Sequence, residues 1–144
     1  MHPEPICISD DKSLLQPALI HQFLTNSYWA KDIPLATVLR SIENSICFGV
    51  YDGQQQIGFA RVVSDKSTFA YLADVFILEA YRGKGLSKRL IKYILDHPAL
   101  QGLRRWMLAT RDAHDLYAKF GFQPMEIPER WMEKHMPGVY EVNH

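Results

Sequence analysis

Apolar positions along this chain recur at two periods, and the switches between them mark out the elements. Ile6 to Ser9 is a short apolar run that predicts a first strand. From Leu14 the period lengthens: Leu15, Ala18, Leu19, Phe23 and Leu24 share one helical face, predicting a helix that ends near Asn26, with Ser9 or Ser13 able to cap it. A loop from Ser27 to Pro34 carries two large aromatics, Tyr28 and Trp29. Pro34 can open a second helix, whose buried face would be Leu35, Val38, Leu39 and Ile42. The period then shortens. Ile46 to Tyr51, Ile57 to Ser64 and Thr68 to Ile77 read as three strands. Asp52-Gly53 joins the first two as a hairpin, and the turn Ser64 to Ser67 joins the second to the third. Leu86, Leu90, Ile91, Ile94 and Leu95 restore the helical period from Gly85 to Asp96, and His97-Pro98 stops that helix.

Leu103 to Ala109 predicts another strand, parallel to the preceding one because a helix joins them. Asp112 to Phe120 reads as a helix ended by Gly121, after which Phe122 to Met125 runs extended. A last strand is predicted around Trp131 to Lys134. The order β-α-α-β-β-β-α-β-α-β, with that further strand after it, predicts a single α+β (mixed α/β) domain over residues 1–144.

Composition narrows the class. An apolar fraction of 47% with 22% charged residues is that of a globular chain. Sixteen basic and sixteen acidic side chains cancel, so no global field favours nucleic acid or an anionic membrane. No apolar run approaches a membrane span and the N-terminus lacks a secretory pattern, so a cytoplasmic location is expected. Cys7 and Cys47 lie far apart without metal-ligand spacing; they read as free core thiols, and no metal site is expected.

The chemistry concentrates between the third strand of the meander and the helix after it. Gly83 and Gly85 let the backbone turn sharply, presenting free amides at a helix N-terminus, where a phosphate is held by unsatisfied donors and the helix dipole. Arg82, Lys84, Lys88 and Arg89 add cations. A nucleotide P-loop would need Gly-Lys-Ser/Thr, and Gly85 follows Lys84 instead; the dinucleotide fingerprint would need a third glycine.

Tyr81-Arg82-Gly83-Lys84-Gly85-Leu86 resembles the acetyl-CoA motif of the GNAT N-acetyltransferases, Arg/Gln-x-x-Gly-x-Gly/Ala, with Arg82 first, Gly85 fourth and Ser87 in the last place as a small departure. Ala113, Tyr117, Gly121 and Phe122 match the family's second landmark, Ala-x-x-x-Tyr-x-x-x-Gly-Phe, at a fitting distance. The fold order resembles that family over almost the whole chain, implying a mainly antiparallel mixed sheet flanked by helices.

The resemblance implies acetyl-CoA as co-substrate, its pyrophosphate on the turn Arg82, Gly83, Lys84, Gly85, Leu86 and Ser87. It also implies that the backbone of Val75, Phe76 and Ile77 pairs with the pantetheine arm. Tyr117 would be the catalytic acid that protonates the departing thiolate, and a phenol holds its proton at neutral pH. Thr110 stands where the family often has a cofactor-contacting asparagine; helix start is its other reading.

The usual base is missing. The family places a carboxylate on the strand before the cofactor turn, at positions that are Ala73 or near Tyr71 here. Asp74 is the closest substitute, although alternation points it to the face opposite Ala73 unless a bulge re-aims it, and pairing with a cation or backbone is its other role. Tyr28 and Trp29, with Asp74, are the acceptor-side candidates; Trp131 and Tyr140 lie in segments that the family also uses, and all four aromatics suit plain packing as well. The function expected is direct acetyl transfer to a primary amine of a small molecule. A non-catalytic acyl-CoA-binding module on the same fold is the alternative. A homodimer is expected by analogy alone.

Overall fold

Three apolar runs separated by tight turns pair in chain order, and the described residues of the computed structural model, 5–141, build on that meander. β1 (Ile6–Ser9), β2 (Ile46–Asp52), β3 (Gln55–Ser64) and β4 (Phe69–Ile77) are antiparallel neighbours, and β5 (Arg105–Met107) lies parallel to β4 at the sheet edge. α1 (Pro17–Thr25) and α2 (Leu35–Glu43) cover one face. α3 (Leu86–Leu95) and α4 (His114–Ala118) cover the other. The mixed, mainly antiparallel sheet flanked by helices is the architecture that the periodicity predicts.

Strand alternation divides the core in two. Phe48, Val50, Ala60 and Val62 pack under Leu90, Ile91 and Ile94 of α3, whereas Cys47, Phe59 and Phe76 pack under Ile20, Leu24 and Val38. Gly49 is required by its neighbour: a Cβ there would collide with the Tyr51 ring and hydroxyl, which fold back over it. The Tyr51 hydroxyl is buried without a partner among the described residues, and that burial pushes its pKa up to about 12.

Several expectations at element ends are corrected. Pro17 resets the first helix: Lys12–Leu14 is a 3₁₀ turn capped by Asp11 rather than by Ser9 or Ser13, and α1 begins at Pro17. In α2 only Val38 is buried; Leu35 and Leu39 are each 44% exposed, so the predicted four-residue face reduces to Val38, with Ile42 partly buried against the same core. Cys47 is a buried free thiol, but Cys7 is exposed on β1. β5 is shorter than Leu103 to Ala109, since its ladder with β4 stops at Tyr71 and Met107. No strand forms at Phe122 to Met125 or Trp131 to Lys134. Pro124 removes a ladder donor from the first, and Pro128–Arg130 closes into a 3₁₀ turn just before the second. No helix among the described residues is long and apolar enough to cross a membrane.

Candidate active site

One extra residue in β4 shapes the site. Phe59 faces Phe76 and Arg61 faces Ala73, so two steps on β3 are matched by three on β4. Asp74 absorbs the difference in a left-handed conformation, φ 56°. The bulge flips the alternation: Leu72 and Ile77, five residues apart, both pack on the α3 face. Asp74 therefore joins Ala73 on the α1/α2 face, correcting the expectation from simple alternation. Its two oxygens are both engaged. Trp29 Nε1–H donates to Oδ1 at 2.8 Å, and Arg61 Nε–H donates to Oδ2 at 2.8 Å in a largely buried ion pair. Arg61 is held in turn by Ser45 Oγ at 3.1 Å.

Beyond Tyr71, β4 and β5 separate, so Val75, Phe76 and Ile77 have a strand neighbour only on the β3 side. Their other backbone edge is open. Phe76 anchors this edge by stacking on Phe23, ring centroids 3.9 Å apart. At the far end, Arg82 Nε–H donates to the Ile77 carbonyl at 3.0 Å. Arg82 thus closes the strand end.

Next comes the glycine turn. Gly83 and Gly85 have φ of 79° and 76°, and nothing lies within 4 Å of where a Cβ would stand. They are needed for backbone shape, and the space beside them is free for a ligand. Gly85 is the N-cap of α3 and no side chain caps that end. A cavity of about 160 Å³ opens here, lined by Arg82, Gly83, Gly85, Ser87, Lys88 and Leu116 among others. Lys88 lies beside Lys119, a residue that sequence reading missed, and the close approach of that second cation lowers the Lys88 pKa. Two cations held together beside an uncapped helix end suit a polyanion. Lys119 lies within the second motif, two positions before Gly121, but only folding places it beside Lys88.

α4 links the turn to the other end of the opening. Its Leu116 lines the turn cavity, and the next residue, Tyr117, is 8% exposed and packs edge-on against Phe122 at 5.9 Å. Burial, with a smaller contribution from the neighbouring Tyr28, pushes the Tyr117 phenol up to about 12. It is a proton holder throughout the neutral range. Thr110 Oγ1 accepts the Ala113 amide at 3.0 Å, which spends its side chain on the start of α4.

The α1–α2 loop completes the enclosure. Tyr28 packs edge-on against Trp29 at 5.1 Å, and Arg111 lies over the Tyr28 ring at 3.9 Å. The structure thus brings Tyr28, Trp29, Asp74 and Tyr117 to one end of the open β4 edge, and Arg82 to Ser87 to the other. Trp131 stands apart, stacked on Arg105 at 4.8 Å in a larger groove of about 740 Å³ along β5. Tyr140 packs against the α1/α2-face core. The larger groove lacks the uncapped helix end that the smaller opening has.

A mixed sheet that splays where β4 leaves β5, with a glycine turn opening the next helix, is an acyltransferase architecture. The family model for the acetyltransferase (GNAT) family matches residues 13–122, and the chain belongs to that family. A crystal structure of a Xanthomonas campestris protein assigned to the same family superposes with a TM-score of 0.93 at 51% identity, covering 98% of this chain and 100% of that one. A Gibberella zeae protein assigned as an acetyltransferase is 33% identical over 135 residues, covering 78% of this chain and 75% of that protein. Thialysine N-epsilon-acetyltransferase of Mus musculus is 26% identical over 98 residues, covering 62% of this chain and 58% of that protein.

Proposed function

We propose that this acetyltransferase moves an acetyl group from acetyl-CoA directly to a primary amine of a small-molecule acceptor. The observation that carries the reading is the open backbone edge of Val75 to Ile77, bounded by the glycine turn at one end and the buried Tyr117 phenol at the other. Bound acetyl-CoA would supply the activated acetyl group as a thioester. The turn amides from Gly83 to Ser87, with Lys88 and Lys119, would hold its phosphates. The open amides of β4 would pair with its pantetheine arm and steady charge developing on the acetyl oxygen. Tyr117 holds its proton at Oη for the departing sulfur.

The amine arrives from the Tyr28 and Trp29 side. Asp74 spends both oxygens on Trp29 and Arg61, so it acts as the post that fixes the acceptor loop, and the amine's proton passes to water. The Mus musculus relative is named for an acetyl transfer to the ε nitrogen of thialysine, an amine acceptor that supports the small-molecule reading. A cytoplasmic location belongs to the same reading.

The first test is thermal unfolding with acetyl-CoA, using ATP as the control anion. At about a hundred times its dissociation constant, acetyl-CoA should add roughly 2.7 kcal/mol to the folded state, which raises Tm by several degrees. ATP should leave Tm where it was. Equal shifts with both, or none with acetyl-CoA, would overturn the reading.

A homodimer is proposed as well. Met132 is 97% exposed, Met136 and Val139 are also exposed, and the free edge of β5 borders the larger groove. Sedimentation at micromolar protein should give twice the monomer mass, and Met132→Glu should shift it toward monomer. A monomer throughout that range would discard the dimer.

A further inference from the structure

The transfer just described leaves one cation at the acceptor mouth without a part. Arg111 lies in the loop between β5 and α4, with its guanidinium carbon 3.9 Å from the centroid of the Tyr28 ring. Among the described residues it forms no salt bridge. Asp112, its neighbour in sequence, is exposed and does not pair with it.

A guanidinium lying on an aromatic face keeps its edge free, and that edge is a planar fork of N–H donors matched to a carboxylate or a phosphate. The stack fixes the fork's orientation, so less side-chain freedom remains to be lost when an anion binds. The carboxylate of Asp74 is already spent. Asp74 is neutralised by Arg61, and Trp29 occupies its second oxygen. The Asp74 carboxylate is therefore closed to a second ammonium, while the Arg111 fork is open to an oxyanion. The position also fits: Arg111 stacks on Tyr28, one of the two loop aromatics of the acceptor side, so an anion on its fork would sit at the acceptor mouth.

We propose that Arg111 reads an oxyanion on the acceptor, so that the preferred substrate is an amine that also carries a carboxylate or a phosphate. This rests on the reading of the Tyr28 side as the acceptor side. Diamines and polyamines without an anionic group are selected against, because they meet the Arg111 cation and find the Asp74 carboxylate already paired.

The test is steady-state kinetics on matched acceptor pairs: lysine against cadaverine for the carboxylate, and glucosamine 6-phosphate against glucosamine for the phosphate. The anion-bearing member of at least one pair should have a kcat/KM about tenfold or more above its partner, and the pair that shows it identifies the anion. Arg111→Met should collapse that ratio to near one, mainly through the acceptor KM, with the KM for acetyl-CoA unchanged. Arg111→Lys should restore part of it. Equal or better use of cadaverine and glucosamine overturns the proposal, as does an unchanged ratio in Arg111→Met. An effect confined to the KM for acetyl-CoA would assign Arg111 to the cofactor instead and overturn it too. If no panel member is turned over, calorimetric titration of the same four compounds into protein saturated with CoA decides. Tighter binding of an anion-bearing member, lost in Arg111→Met, supports the proposal; its absence overturns it. Failure of the acetyl-CoA reading itself shows separately, as a missing thermal shift with acetyl-CoA.

Discussion

Tyr117→Phe should lower kcat by about a hundredfold or more, the usual worth of a positioned general acid, while leaving the KM for acetyl-CoA nearly unchanged. The ring packs against Phe122 and belongs to the α3-face core, and phenylalanine preserves that packing, so Tm should stay close to wild type. The lost oxygen is the one group removed. Burial holds the phenol pKa near 12 against an ordinary value of 10.0, so the wild-type rate should show no alkaline decline from Tyr117 between pH 7 and pH 10. The linkage has a definite sign. The folded pKa is raised, so the folded state grips this proton more tightly than the unfolded chain does. The stability that follows is complete below about pH 10 and is lost as pH rises from there toward 12. A thiol-release assay across pH 7 to 10 on both proteins checks the prediction. An unchanged kcat in Tyr117→Phe would remove the acid role and return the phenol to packing.

Asp74→Ala should be the most costly single change at the site, about 3 kcal/mol of stability. It strands Arg61 among buried neighbours without its counter-charge. For a domain of this size that is a fall in Tm of roughly 6–12 °C. The same change releases Trp29, so the KM for the acceptor should rise while the KM for acetyl-CoA moves little. Asp74→Asn separates the two effects. Its amide oxygen can still accept one of the two donors, so its loss of stability should be smaller, whereas the ion pair is gone in both variants. Denaturant unfolding of the three proteins measures this series. A loss below about 1 kcal/mol in Asp74→Ala would mean that the ion pair is not structural and would free Asp74 for a chemical role.

The division between what local pattern reveals and what folding adds is clear at three places. The glycine turn was legible because its chemistry is local: two glycines, the preceding strand and the following helix lie within a dozen residues, and their periods appear in the chain directly. The motif that carries Tyr117 was legible through its spacing to Ala113, Gly121 and Phe122, because all four lie within ten residues of chain. The extended path after Phe122 was misread as strand because a strand exists only when a neighbour supplies its hydrogen bonds, and that neighbour is not written in the segment itself.

The base position shows the same limit at the site. Alternation sent Asp74 to the wrong face, because a bulge is a disagreement between two paired strands and is invisible in either one alone. Sequence alone therefore determined the fold class, the family and the glycine turn, all of which rest on residues close along the chain. Tertiary structure decided the pairing of Asp74 with Arg61 and Trp29, the meeting of Lys88 with Lys119 and the stacking of Arg111 on Tyr28. Each of these joins side chains from different elements, whose approach depends on how the sheet twists, bulges and splays once it is packed.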